Sequence, residues 1–203
     1  MNFIKKYPIV SILLVALNVV LFLICTFDKG LLYNKGSISV LDLINNREYY
    51  RLISSMFLHA DINHLVNNML LLYGLGYMLE KELGHIRFLI YYLITGLGGD
   101  IFSIVKELVT KDYYSSIGAS GAVFGLIGIL LIFVISMQEK FPDITWQRVI
   151  LVIIYALYSG YQSVRVNNAA HVGGLIVGLI IASIYCVRFK HSEKDKWEEI
   201  HEN

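Results

Sequence analysis

The chain has 203 residues, 56% hydrophobic and only 16% charged, with 17 basic and 16 acidic side chains for a net charge of +1. Together with a mean hydropathy of +0.60, this excludes an ordinary soluble domain, and so balanced a charge offers no footprint for nucleic acid. The apolar residues fall in runs long enough to cross a bilayer, so the expected class is an all-α, multi-pass membrane protein built as a single domain over residues 1–203.

Six apolar segments follow one another: Ile9 to Phe27, Ile62 to Leu79, Phe88 to Val105, Ile117 to Met137, Val149 to Val164 and Ala169 to Val187. Each is near the ~20 residues that cross ~30 Å of hydrocarbon at ~1.5 Å per residue. Tyr7, Tyr113, Tyr114, Trp146 and Phe189 flank them, as interfaces prefer. The first run follows Lys5 and Lys6 but exceeds the ~7–15 apolar residues of a signal peptide and meets no small-residue cleavage pattern, so it reads as a retained helix. Cys25 and Cys186 lie inside apolar runs without metal-ligand spacing and read as small buried hydrophobes.

With the N-terminus inside, ten basic residues fall on the inner face (Lys5, Lys6, Lys81, Arg87, Lys140, Arg148, Arg188, Lys190, Lys194, Lys196). Seven fall outside: Lys29, Lys35, Arg47, Arg51, Lys106, Lys111 and Arg165. The bias favours both termini in the cytoplasm. The longest connection, Asp28 to about Asp61, is expected to hold short interfacial helices. Residues 191–203 mix both charge signs and read as a polar, frayed tail.

The informative residues are the polar ones inside apolar runs, because each is costly in lipid and so marks a site or an interhelical contact. The second segment carries His64, Asn67 and Asn68, the fourth Ser120, the sixth His171. These three segments all start on the same membrane face. At ~1.5 Å per residue, His64, Asn68, Ser120 and His171 therefore lie within roughly 10 Å of one surface. His64 and Asn68, four apart, share a helix face, whereas Asn67 is offset from it. Gly121 and Gly125, and Gly174 and Gly178, make small-xxx-small strips that let helix backbones approach closely.

That approach is what a serine nucleophile needs, since its base must reach the hydroxyl at ~2.6–3.2 Å. His171 is suited to be the base for Ser120. The developing oxyanion has donors in the Asn68 amide, the His64 ring and the free N–H groups where the fourth helix begins. Asp100 has a fitting depth for an acid behind His171, but nothing in the sequence brings the two together, and a Ser–His dyad is preferred. Glu80 lies roughly 18 Å below Asn68 by helical rise and is excluded.

At these residues the chain resembles the rhomboid family. The GxSG motif appears as Gly118-Ala119-Ser120-Gly121, the His-xxx-Asn motif as His64 to Asn68 with His59 upstream, and the last helix reads Ala170-His171-Val172-Gly173-Gly174 with Gly178. Tyr50-Arg51 resembles an aromatic-Arg pair of the first outer loop, and Phe124 stands where an aromatic packs on the catalytic His. GxSG alone is weak; the three motifs in this order are specific. The resemblance implies a six-helix rhomboid-like bundle and cofactor-free, metal-free cleavage of transmembrane segments of other membrane proteins. It also implies lateral gating near the fifth helix, a mobile outer loop, and an oxyanion site from His64, Asn68 and the Ser120 amide. Gly118, Gly121, Phe124, Gly174, Gly178, His59 and Arg51 would support the site.

The expected partners are membrane-protein substrates and the bilayer itself, in what compactness suggests is a bacterial plasma membrane. Two other readings stand beside the protease. A rhomboid-like protein that captures helices without cutting them would typically lack nucleophile or base, and a small transporter would show an inverted repeat or interrupted helices. A metal held by His59, His64 and His171 has no carboxylate partner or HExxH pattern to support it.

Overall fold

The computed structural model describes residues 7–28, 30–161 and 166–201, the last thirteen of these (189–201) as backbone. Lys5, Lys6, Lys29, Arg165, residues 162–164 of the fifth apolar run, and the side chains of Phe189, Lys190, His191, Lys194, Lys196 and His201 lie outside the described residues. Among the described residues the chain is helical, with one isolated bridge between Ile38 and Ser116 and no strand. The helices are α1 (Ile9–Phe27), α2 (Leu31–Gly36), α3 (Val40–Asn45), α4 (Arg51–Ser54), α5 (Ile62–Leu83), α6 (His85–Thr110), α7 (Ser120–Ser136), α8 (Trp146–Tyr161) and α9 (Asn168–His201).

Length and composition mark α1, α6 and residues Asn168–Arg188 of α9 as able to cross a membrane, with α7 a shorter apolar helix. Several ends differ from the apolar runs. Helix α5 continues through Glu80-Lys81-Glu82, which are good helix formers, until Gly84 at φ +78° turns the chain into α6. Helix α9 continues past Val187 to His201, through most of the 191–203 segment expected to fray, and no Gly or Pro interrupts residues 188–201.

Helix α7 is the centre, touching α5, α6, α8 and α9, and every residue from Gly121 to Leu130 is buried. Its partner α9 comes in at backbone distance. A Cβ on Gly174 would collide with the carbonyl of Gly121, and one on Gly178 with the carbonyl of Gly125. These two contacts, one turn apart, fix how α7 and α9 are registered. Gly99 of α6 joins them, since a Cβ there would sit 2.7 Å from the Ala170 carbonyl and 3.3 Å from Gly121.

Two buried ionic hubs hold the periphery. Glu80, 2% exposed, accepts from Val10 N (2.8 Å), Ser11 N (3.0 Å) and Ser11 Oγ (3.0 Å) and pairs with His85. It satisfies free N–H groups at the start of α1 with a charge the helix dipole favours, and the α1–α5 seam closes with Ser11 against Gly76. At the Ser120 end, Arg51 bonds Glu48 (2.6 Å) and the carbonyls of Asn34 (2.9 Å) and Ser37 (2.8 Å), with Asp42 at 3.6 Å. One guanidinium thereby gathers α2, α3 and α4 into a folded cap.

Candidate active site

The cap reaches the site through the backbone. Ile38 and Ser116 exchange hydrogen bonds at 2.9 and 3.1 Å, and Gly118 N donates to Ser55 O at 2.9 Å. The segment before α7 is pinned by these bonds, and Gly118 takes φ +133°, a conformation side chains disfavour. A Cβ there would also fall 2.7–2.8 Å from the His64 ring and 3.7 Å from Ser120 Oγ. The missing side chain of Gly118 is the space in which the imidazole of α5 approaches the hydroxyl of α7.

Ser120 is the first residue of α7, so its N–H and the next ones lack helical partners. His171 is the fourth residue of α9. Gly121, next to Ser120, would carry its Cβ 3.5 Å from the carbonyl of Ala170, next to His171. Phe124, one turn below Ser120, stacks on the His171 ring with centroids 4.2 Å apart and planes 11° from parallel. The imidazole is thus packed against the face of α7 one turn below Ser120. Its Nδ1 is buried without a hydrogen-bond partner. Asp100 instead accepts from Ser55 Oγ at 3.3 Å, and among the described residues no carboxylate backs His171.

On α5, Asp61 caps the helix by accepting from His64 N at 2.9 Å. Asn68 is buried, its amide donating to the His64 carbonyl at 3.1 Å, while Asn67 faces outward. His59 is fully buried with its ring edge-on to His64, centroids 5.0 Å apart. Burial, and then the neighbouring His64, push the His59 pKa down to about 3, so near neutral pH it is an uncharged ring wedged behind His64. Arg51 lies in the cap, and Gly178 lies in the helix seam one turn below Gly174.

Sequence reasoning missed a polar cluster that sets where α9 begins. Asn167 Oδ1 accepts from Ala170 N (3.1 Å) and from Tyr114 OH (3.3 Å), and its amide donates to Ser103 Oγ (2.7 Å) and Ser116 Oγ (3.2 Å). Glu107 adds to it, accepting from Ser103 Oγ (3.3 Å) and Tyr114 N (3.4 Å). One asparagine therefore ties the start of the His171 helix to α6 and to the approach to Ser120. The available signal was an Asn three residues before a helical N–H, the ordinary N-cap pattern.

Comparison with known proteins agrees with this architecture. The family model described as Rhomboid domain matches residues 46–188. The chain is 33% identical over 180 residues to the rhomboid protease GluP of Bacillus subtilis (strain 168), covering 87% of this chain and 34% of that protein. It is 32% identical over 198 residues to YdcA of the same bacterium, also named among the rhomboid proteases, covering 93% and 94%. RHOMBOID-like protein 5 of Arabidopsis thaliana is 35% identical over 148 residues, 72% of this chain and 47% of that protein. The chain belongs to the rhomboid family, a family of intramembrane serine proteases. It spans about a third of GluP and nearly all of YdcA.

Proposed function

We propose that this chain is an intramembrane serine endopeptidase that cuts transmembrane segments of other membrane proteins with a Ser120–His171 dyad. The observation that supports this reading is the glycine-to-carbonyl seam between α7 and α9 together with the stack of Phe124, one turn below Ser120, on the His171 ring. In this mechanism His171 takes the Ser120 proton as Oγ attacks the scissile carbonyl. The oxyanion is met by the Ser120 N–H, the Asn68 amide and the His64 ring. His171 then protonates the leaving amine, the acyl-enzyme forms, and water activated by the same imidazole releases the second product. The orphaned Nδ1 is compatible with a dyad, in which packing against Phe124 orients the ring in place of a carboxylate.

Substrate access is best supported beside α8. An apolar cleft of about 240 Å³ opens between Leu71, Leu75 and Met78 of α5, Leu130 of α7 and Val149 and Val152 of α8. Its wall is apolar except for Arg148 at the start of α8, so a transmembrane segment arriving from lipid meets an apolar face that ends at one cation on the inner side. The reading includes six membrane crossings, made by α1, α5, α6, α7, α8 and α9, with both termini cytoplasmic and the site near the outer face. The test is cleavage of a transmembrane substrate in proteoliposomes. Ser120→Ala is expected to lower turnover by about 10³-fold or more with an unchanged melting temperature; equal cleavage by the variant would overturn the assignment.

A further inference from the structure

A second feature lies at the opposite membrane face from Ser120. A cavity of about 410 Å³ opens between the start of α6 and the far part of α9, lined by Arg87, Tyr91, Ile181, Ile184, Tyr185 and Arg188. Arg87 and Tyr91 are one turn apart on α6, and Ile181, Ile184, Tyr185 and Arg188 form one stripe on α9. Both helices are long and apolar enough to span, and in the sequence the apolar run of α9 ends at Val187, immediately before Arg188. The cavity therefore lies at headgroup depth, where Tyr and Arg are the expected residues.

Among the described residues its charge is unbalanced. Among the described residues neither Arg87 nor Arg188 has a carboxylate within ion-pair distance, and both are exposed. Glu82, a carboxylate that also faces Tyr185, is already joined to Lys140 at 2.5 Å. Two guanidiniums lining one cavity repel unless an anion lies between them, and their forked donors match phosphate oxygens. Beside them Ile184 and Val187 are exposed on α9, offering an apolar surface at acyl-chain depth.

We propose that this cavity binds an anionic glycerophospholipid, its phosphate between Arg87 and Arg188 and an acyl chain along Ile181 and Ile184. Basic pockets between membrane helices recognise lipid headgroups in this way. The bound lipid would staple α6 to α9, the two helices that carry Gly99 and His171, at the end remote from the chemistry.

The test is native mass spectrometry of the delipidated full chain in neutral detergent, titrated with phosphatidylglycerol or phosphatidylcholine. The anionic lipid is expected to bind about five-fold tighter or more. Arg87→Gln with Arg188→Gln is expected to abolish that preference at an unchanged melting temperature, and Arg87→Lys with Arg188→Lys to keep most of it. Equal binding of the two lipids by the unmodified chain, or an undiminished preference in the double Gln variant, would overturn the proposal. So would inorganic phosphate displacing the anionic lipid at equal concentration, which would make the ligand a soluble anion.

Discussion

Helices α7 and α8 are neighbours in sequence and opposites in packing. From Gly121 to Leu130 every residue of α7 is buried, while α8 buries only Val149, Ile153 and Gly160 and leaves Leu151, Tyr155 and Tyr158 more than 60% exposed. The first is locked to α9 by backbone contacts at Gly174 and Gly178, with Phe124 stacked on His171 beside them. The second leans on an apolar cleft of about 240 Å³. The proposed cleavage of a transmembrane segment calls for both kinds of packing. Its reacting groups must hold their geometry, and some neighbouring element must give way to admit the substrate.

Substitutions can break that contrast from either side. The largest effect is expected at the seam. Gly174→Val drives a branched side chain into the Gly121 carbonyl, overpacking that costs about 1–3 kcal/mol, and separates base from nucleophile. Both the melting temperature and proteolysis should fall, the latter to background.

Phe124→Ala should act next most strongly. It removes a stack worth about 0.5–1.5 kcal/mol beyond its burial and frees the His171 ring to turn, so kcat should drop roughly tenfold with KM little changed. A KM effect alone, measured on a transmembrane substrate, would place Phe124 in binding and not in orienting the base. The smallest effect belongs to α8. Val149→Ala with Val152→Ala widens the cleft and should raise turnover of a transmembrane substrate roughly two- to three-fold. Hydrolysis of a small soluble ester, which has no helix to admit, should not change; a parallel rise in both would mean that α8 does not gate access.

How far the sequence carries one toward this site depends on whether a residue's partner is local or remote. Ser120, His171, His64 and Asn68 were legible as candidates because polar groups inside apolar runs are rare and helix order assigns them a depth. Gly174 and Gly178 were legible as a strip, although the specific carbonyls they meet were not. Glu80 could be excluded from the dyad by helical rise, but its task of capping α1 joins residues about seventy apart and leaves no local pattern. Asp100 pairs with Ser55 across a sequence gap of 45 residues, and Asn167 gathers Ser103, Tyr114 and Ser116 from two other segments. Periodicity and capping rules report on a helix and its ends; they do not report which distant chain completes a buried polar group's hydrogen bonds.

The most direct measurement is covalent labelling of the purified, detergent-solubilised protein with a fluorophosphonate, with the adduct located by mass spectrometry. A serine activated by His171 predicts modification at Ser120, lost in His171→Ala while that variant stays folded. Labelling that persists in His171→Ala, or its absence from Ser120 in folded protein that still cleaves a transmembrane substrate, would contradict the dyad.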